Sequence, residues 1–369
     1  MKVSEINVNV LPEIPGTSEF KYFTHRLPVL TFTLTSPLCL PPSTKAEMRF
    51  LSRLCRKFGT ASAVPAQHSL LSFGTGQKMS KETLAAIEHE FILSGLRQGY
   101  RHDGRGDNDY RELRVSFGQD YGHVNLQLGK TSVIVRMSAT VGKPHQDRPF
   151  DGTFNIQMEL TPMGSPGWEI GRPSEYESQV LHVLDRVIRH SNALDTESLC
   201  IVKGVSCWNI TAYVHVVDYD GNLTDAACMA IMAALQHFRR PDSESRGGEA
   251  IIYGLEERVP VPLNITRQPL CVSVIFFNDV NNQLLDPTYK EELAADGEFV
   301  IGMDDSGLVC FFEKMAGVAS QPMSTLDMMS VAGERIKEHN AKLQKALKAD
   351  LAQRAELGMT NEAKAANDR

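Results

Sequence analysis

The clearest pattern of hydrophobic and polar positions in the chain lies between residues 208 and 242. It begins with an alternation whose apolar members are Trp208, Ile210, Ala212, Val214 and Val216. A period of two predicts a strand with one buried face. From Leu223 the apolar positions recur at helical spacing and most others are small, which predicts a helix buried on several sides. Arg239-Arg240-Pro241 is its expected end, with cations at the negative terminus.

The turn between this strand and helix is the first candidate site. It consists of Asp220, Gly221, Asn222, Leu223 and Thr224. The first amide groups of a helix have no partner within the helix, so such a turn can hold an anion. Asp225 follows at once and would repel one.

Shorter patterns predict the elements that precede this unit. A helix is expected from Ser80 to Gly99, with Leu84, Ile87, Phe91 and Leu96 on its apolar side. Alternation then predicts strands at 113–117, 123–128, 132–139 and 153–160. Ser174 is the expected N-cap of a helix that runs through Ser191.

The part of the chain after the central helix resembles a connector followed by a second domain. Residues 239–262 are polar and end in Pro260-Val261-Pro262. A strongly apolar strand is expected at 271–277, and a hairpin is expected at 300–312 around Asp305-Ser306-Gly307. A helix is predicted from Leu326, with a solvated, frayed end after Lys337.

Charge is distributed unevenly along the 369 residues of the chain. The formal net charge is −7, but nine Lys and Arg against four Glu give the segment 1–78 a charge of +5, so the remainder carries −12. Phosphate contacts dominate affinity for nucleic acid, so a part this acidic is a poor nucleic-acid binder by itself. Residues 1–78 contain no Asp and no sustained periodicity, and they are expected to be disordered. They are interpreted as an upstream extension, from a misassigned start before Met79, in preference to an organellar presequence.

The domain prediction follows from these patterns. It places a disordered extension at 1–78, one domain at 79–262, a second at 263–330, and a C-terminal helix and tail at 331–369. Seven scattered cysteines without a CxxC pair favour reduced, buried thiols over a metal site or disulfide framework. The sequence has no run of eighteen apolar residues, so no membrane span is predicted.

The strand, Asp-Gly turn and small-residue helix resemble those of the RNase PH-like family. A second match to this family is an earlier series of short motifs: Asp103-Gly104-Arg105, Tyr110-Arg111 and Gly129-Lys130-Thr131. The resemblance extends from Met79 to about residue 345 and implies an α+β fold with two βαβα-type domains, whose mixed sheets pack against helices. Active members carry a hydroxyl residue and then an arginine in the turn to hold the attacking phosphate. Leu223 and Thr224 stand at those positions, so the resemblance implies a lost phosphate site and no catalytic residues.

Four further segments of the sequence restrict the resemblance to one type of protein within the family. Residues 195–200, 236–242, 256–263 and Asp286-Pro287 are similar to ring subunits of the eukaryotic RNA exosome of the polymyositis/scleroderma autoantigen type. This implies a heterodimer with another RNase PH-like subunit inside a hexameric ring, with cap subunits, associated nucleases and RNA as partners. It also implies residence in the nucleus, nucleolus and cytoplasm. No cofactor is implied.

Two carboxylates and three cations are the remaining candidates. Active relatives have two aspartates six residues apart, and Asp286 and Glu292 occupy that spacing here. They could bind Mg²⁺, but the favoured interpretation makes Asp286 a helix cap. The loop with Lys143 and Arg148 faces the channel entrance in the family, so both are candidate RNA contacts, with solvated surface as the alternative. Arg172 precedes a helix start and is a third candidate; a salt bridge to Glu175 or to another acidic residue is its alternative.

The functional hypothesis is therefore a non-catalytic ring subunit that scaffolds the exosome and guides RNA for 3′–5′ processing and degradation. The first alternative is an active phosphorolytic 3′–5′ exoribonuclease, which the altered turn disfavours. The second is a free-standing RNA-binding module, which the −12 charge disfavours. His215 and His237 are isolated, and packing is expected for both in preference to ligation or catalysis.

Overall fold

The computed structural model describes residues 84–169, 171, 173–254, 257–277, 283–317 and 322–356. The predicted extension at 1–78 lies outside this part of the chain, as does the tail after residue 356. The α-helices of the described part are α1 (Ala86–Arg97), α2 (Glu175–His190), α3 (Leu223–His237), α4 (Tyr289–Ala294) and α5 (Pro322–Glu356). A short 3₁₀ turn spans Glu197–Leu199.

The first sheet has six strands. They are β1 (Leu113–Phe117), β2 (His123–Leu128), β3 (Thr131–Gly142), β4 (Thr153–Leu160), β5 (Cys200–Val202) and β6 (Ser206–Asp218). The order is β1-β2-β3-β6-β4, and the short β5 also pairs with β6. Only β4 runs parallel to its neighbour in this sheet, so the sheet is mixed.

The second half of the chain forms two small ribbons and a second sheet. The ribbons pair β7 (Arg239–Arg240) with β10 (Val261–Pro262), and β8 (Ser243–Arg246) with β9 (Glu249–Ile252). The sheet contains β11 (Leu270–Phe276), β12 (Gln283–Leu285), β13 (Gly297–Met303) and β14 (Val309–Gly317). Its order is β12-β11-β13-β14, and all its pairs are antiparallel.

Helix α3 lies between the two sheets, where it packs against β2, β3 and β11. Every residue from Leu223 to Leu235 is buried, which explains why the helix has no polar face. Small alanine side chains allow both sheets to approach the helix backbone closely. One hydrophobic core therefore includes residues of both sheets and of α2, α3 and α5. The α+β class is confirmed, and the central strand and helix form as predicted.

The apolar side predicted for α1 is partly wrong. Ile87 is 85% exposed and Phe91 is 64% exposed, whereas Ile92, Leu93 and Leu96 are buried. The buried side packs against Ile275, Phe277 and Leu284 of the second sheet region. Periodicity in α1 permits two apolar faces, and the tertiary partner decides which of them is covered.

Two helix ends also differ from prediction. Helix α3 ends at His237, because Phe238 is buried with extended backbone and Arg239–Arg240 pairs with Val261–Pro262. Helix α5 is solvated after Lys337 on one side only: Leu343 and Leu347, on its other side, are buried. Arg354 is buried as well, and it donates to the carbonyls of Gly118 and Gln119. None of the described helices is both long and apolar enough to span a membrane.

Candidate functional site

The candidate turn is held by a hydroxyl from the first sheet. Gly221 has a φ of +83°, and a Cβ there would lie 2.6 Å from the carbonyl oxygen of Pro287. Only glycine fits such a close approach in this conformation. Thr131, at the start of β3, donates to the Gly221 carbonyl at 2.8 Å and accepts from the Asp220 amide at 3.1 Å. The predicted Gly-Lys-Thr turn therefore fixes the Asp-Gly turn directly.

The start of α3 is already bonded to a carboxyl group of the chain itself. The Asn222 amide donates to Glu292 Oε1 at 2.5 Å. The Tyr219 hydroxyl donates to Glu292 Oε2 at 2.5 Å. The position predicted for an anion at this helix start is thus filled by a carboxyl group 70 residues away in the sequence. Leu223 and Thr224, where family members carry the phosphate-holding pair, are buried.

Asp286 is the centre of a buried ion-pair network. Its carboxylate accepts from the Arg111 amide (2.7 Å) and side chain (2.8 Å), from Arg105 Nη1 (2.9 Å) and from Asn222 Nδ2 (2.8 Å). Burial by itself would raise the pKa of Asp286, but the hydrogen bonds and positive charge of Arg111 hold it below the ordinary value. Asp286 was predicted to cap α4, and this prediction is wrong. Thr288 is the N-cap of α4 and forms a capping box with Glu291.

Three arginines from one stretch of sequence, Arg101, Arg105 and Arg111, pair with two buried carboxylates, those of Asp286 and Glu291. Arg111 also donates to the carbonyls of Asp220 (2.8 Å) and Gly221 (3.1 Å), so it links the turn to Asp286. Arg101 forms a bidentate pair with Glu291, at 3.1 and 2.7 Å. The spacing of these arginines between positions 101 and 111 was visible in the sequence, but the carboxylates that they share belong to the second half of the chain. Local pattern could not reveal those partners.

Asp225 joins α3 to the second sheet. It is fully buried and accepts from the Tyr110 hydroxyl (2.9 Å), the Ser273 amide (3.0 Å) and the Ser273 hydroxyl (2.9 Å). Burial raises the pKa of Asp225 to about 6, although these hydrogen bonds oppose the rise. The residue that the sequence marked as repelling phosphate is therefore a structural link.

Two further carboxyl groups, of Glu292 and Glu298, belong to this region, and both hold their protons more tightly than usual. Burial raises the pKa of Glu292 to about 7. Burial, and then the charge of Glu292, raise the pKa of Glu298 to about 8. A phosphate brought here would meet four carboxyl groups and would have to displace Glu292. Because both oxygens of Asp286 accept several donors, they have little capacity left for a metal ion. The described residues contain no group of three His, Cys, Asp or Glu arranged to hold a metal.

The predicted RNA-contact loop lies away from this network. Strand β3 starts at Thr131, beside the turn, and ends at Gly142, just before Lys143. Its twelve residues span about 36 Å at the usual rise per residue. Lys143 is exposed, and the side chain of Arg148 is 79% exposed with Asp151 at 3.9 Å. Arg172, the third predicted cation, lies outside the described residues.

A further cation beside the loop was missed by the sequence reasoning. Lys203, in the turn between β5 and β6, places its ammonium 4.1 Å from the ring centre of Phe150. The Gly204 amide donates to the Pro149 carbonyl at 3.0 Å, which fixes this turn against the loop. Lys203 and Lys143 are far apart in the sequence and belong to different strand connections, so no local pattern links them.

The two histidines behave as packing residues. His237 is buried, accepts from the Gly122 amide at 3.0 Å and lies 3.3 Å from Asp350. Burial, followed by the charge of Arg354, lowers the pKa of His237 to about 4. His215 is half exposed on β6 and lies 3.5 Å from Glu159.

The two-sheet fold and this site define the class of protein. The model of the 3′ exoribonuclease family, domain 1, matches residues 109–241, and the model of domain 2 matches residues 267–335. The chain belongs to the 3′ exoribonuclease family, which has the RNase PH-like fold.

Within the family, similar relatives share one name. The exosome complex component rrp45 of Schizosaccharomyces pombe is 42% identical over 71% of this chain and 90% of its own length. The exosome complex component RRP45 of Danio rerio is 39% identical over 76% of this chain and 71% of its own length. That of Saccharomyces cerevisiae is 38% identical over 68% of this chain and 86% of its own length.

Solved structures of archaeal exosomes share the fold. A chain of the Archaeoglobus fulgidus exosome with RNA bound to the active site has a TM-score of 0.62 and 27% identity, covering 69% of this chain and 97% of that one. A chain of an archaeal exosome core has a TM-score of 0.57 and 25% identity, covering 70% and 96%.

Proposed function

We propose that this protein is a non-catalytic subunit of the RNA exosome ring, which scaffolds the ring and guides RNA toward nucleases for 3′–5′ processing and degradation. The similarity to RRP45 components supports membership in the exosome. The observation that carries the non-catalytic part is the occupation of the α3 start by Glu292.

The argument against phosphorolysis is electrostatic. A phosphorolytic enzyme must place a phosphate anion beside RNA, and it needs cations and hydroxyls aimed at that anion. Here the turn provides Leu223 and Thr224, and its amide is already bonded to a carboxylate. The nearby arginines are engaged by Asp286 and Glu291.

The test is phosphate-dependent release of nucleoside diphosphates from end-labelled RNA by the purified chain. We expect none above a no-protein control. A Glu292→Gln variant purified in parallel identifies contaminating nuclease, whose activity would be equal in both preparations. Phosphate-dependent shortening by the wild type that is lost in the variant would establish the enzymatic alternative instead.

The scaffold role predicts partners. The chain should form a heterodimer with another RNase PH-like subunit, and three heterodimers should form the ring that carries cap subunits and nucleases. Native mass spectrometry of the chain mixed with candidate subunits tests this. If the chain stays monomeric when mixed with each RNase PH-like subunit of its own organism, the scaffold role is contradicted.

Residence in the nucleus, nucleolus and cytoplasm is part of the same proposal. The location of a fluorescent fusion of the protein in cells tests it.

The RNA-guiding part rests on the loop with Lys143 and Arg148, and on Arg172 as the third predicted cation. Both described cations are exposed, and Lys203 lies against the same loop. Single-stranded RNA is held by convergent cations and exposed rings, and backbone contacts carry no sequence information. We therefore expect contact with RNA at this loop in the assembled ring, without sequence preference.

A further inference from the structure

Two cysteines lie opposite each other on neighbouring strands of the first sheet. Cys200 of β5 and Cys207 of β6 are direct antiparallel partners. In a regular antiparallel ladder the Cα atoms of such partners are about 4.5 or 5.5 Å apart, and here the register shifts between Cys200 and Val202. Both values lie inside the range of about 4.4–6.8 Å that a disulfide spans. Directly opposed residues also direct their side chains to the same face of the sheet.

Both thiols are free, and their surroundings differ. Cys200 is partly exposed, whereas Cys207 is covered and lies 3.5 Å from Asn209 Oδ1. Burial, and then the proximity of Cys200, raise the pKa of the Cys207 thiol. Cys200 is therefore the thiol that a reagent from solvent meets first, and Cys207 is placed to react second.

We propose that Cys200 and Cys207 are a reversible oxidation site that closes to a disulfide across the β5–β6 hairpin. The oxidant is a hydroperoxide, with hydrogen peroxide as the simplest case. The Cys200 thiolate attacks one peroxide oxygen, the O–O bond breaks, and a sulfenic acid and water result. The Cys207 sulfur then attacks the Cys200 sulfur, a second water leaves, and the S–S bond forms. Two thiols and one peroxide thus give one disulfide and two waters.

The hairpin closed by this bond borders the candidate RNA loop. Cys207 pairs on its other side with Gly142, which immediately precedes Lys143. The Gly204 amide, between the two cysteines, holds the Pro149 carbonyl at the far end of the loop. The disulfide would therefore join strands on which both ends of the loop rest.

The chain contains its own matched comparison. Cys228 of α3 and Cys271 of β11 are also neighbouring thiols, and the contact with Cys228, followed by burial, raises the pKa of Cys271 far above its ordinary value. Cys228 is 0% exposed and Cys271 is 3% exposed, between the central helix and the second sheet. A peroxide in solvent should reach the hairpin pair and not the core pair.

The experiment treats the full chain with hydrogen peroxide, blocks accessible thiols with N-ethylmaleimide, unfolds the protein, alkylates the newly exposed thiols with iodoacetamide and maps the peptides by mass spectrometry. Trypsin cleaves after Lys203, between the two cysteines, and chymotryptic cleavage at Trp208 or Tyr213 separates Cys207 from Cys228. We expect one cross-linked peptide pair, joining Cys200 to Cys207, that dithiothreitol reverses. Cys228 and Cys271 should be alkylated only after unfolding.

Single variants sharpen the result. Cys200→Ser and Cys207→Ser should each abolish the cross-link, whereas Cys310→Ser, which removes a partly exposed thiol elsewhere, should leave its yield unchanged. Should Cys207→Ser fail to fold, Cys200→Ser at the more exposed position still decides the question. Cys200 found as sulfinic acid without a cross-link would overturn the proposal. A cross-link from Cys200 to any other cysteine would also overturn it.

Discussion

Asp286 and Lys143 represent two regions that use charge in opposite ways. Around Asp286, arginines and carboxylates are buried and bonded to one another, so little of their charge is available to a ligand. Around Lys143, the cations are exposed, and Arg148 lies 3.9 Å from Asp151, at the limit of an ion pair. The two regions lie at opposite ends of β3.

The difference shows which region could serve which purpose. Internal hydrogen bonds at the turn stabilise the fold and occupy the positions that an anionic ligand would need. Solvated cations on a loop contribute little to stability but remain available to phosphate groups. Substitutions at the turn should therefore change stability, and substitutions at the loop should change binding.

The largest effect is expected from Asp286→Ala. It leaves Arg111 buried without its carboxylate partner, and such a loss costs about 3–5 kcal/mol of unfolding free energy. Urea denaturation of the wild type and the variant measures it. Asp286→Asn retains the volume and one acceptor oxygen, so its loss should be smaller. A loss below about 1 kcal/mol for the alanine variant would show that the network is not structural.

A pH-dependent effect is expected from Glu292→Gln. Because the pKa of Glu292 is raised to about 7 in the folded protein, the folded state binds the proton more tightly than the unfolded state does. This contribution to stability is complete below the ordinary value of 4.5 and is lost as the pH rises through 7. Between pH 5 and 8 the melting temperature of the wild type should therefore fall more steeply than that of the variant.

The control for this prediction is Glu112→Gln. Glu112 is exposed, and its hydrogen bond from Arg114 lowers its pKa, so its titration lies outside this window. Its slope between pH 5 and 8 should match that of the wild type. Equal slopes for Glu292→Gln and the wild type would mean that Glu292 is ionised throughout.

A more modest loss is expected from Thr131→Val. The substitution removes the hydroxyl that bonds Gly221 and Asp220 but retains the branched shape. Leaving buried polar groups without partners costs about 1–3 kcal/mol. Thr140→Val changes an exposed residue of the same strand and should stay within about 0.5 kcal/mol of the wild type in urea denaturation. Equal effects at the two positions would contradict a specific role for Thr131.

The smallest effect on stability is expected from the double variant Lys143→Glu and Arg148→Glu. Its unfolding free energy should change by no more than about 0.5 kcal/mol per exposed position. The assembled ring should bind RNA more weakly, and the salt dependence should flatten by about 0.7 per lost phosphate contact.

The control for the loop variant is Lys345→Glu with Lys348→Glu. It makes the same change in net charge on an exposed side of α5. Titrations of fluorescent RNA at several salt concentrations compare both rings with the wild type. A similar loss of affinity in both variants would indicate a general effect of charge instead of contact at the loop.

Strong local patterns predicted the fold well. The strands β1, β2 and β4 have the predicted bounds, and Ser174 caps α2 by accepting from the Glu177 amide. Alternation and capping depend on neighbouring residues, which the sequence displays. The prediction of the buried face of α1 was partly wrong, because the region that covers this helix, around Phe277, belongs to the second half of the chain.

The sequence indicated which residues form the candidate site, but not which side chains bond to one another there. The turn at Asp220–Thr224 and the pair Asp286 and Glu292 were both identified from sequence. What the sequence did not show is that Glu292 bonds the helix start and that Thr288 caps α4 in place of Asp286. These outcomes depend on which of several acidic residues the tertiary fold brings to one amide. The domain boundary at 262 and the RNA contacts stay predictions.

The anchor at Arg354 has a consequence for biosynthesis. This residue holds the carbonyls of Gln119 and Gly118, which are synthesised 235 and 236 residues earlier. Ribosomes add about 5–20 residues per second, so the β1–β2 turn waits many seconds for its partner. These hydrogen bonds can therefore form only after translation has passed Arg354. Until then the carbonyls of Gly118 and Gln119 have to be solvated by water instead of being bonded to Arg354.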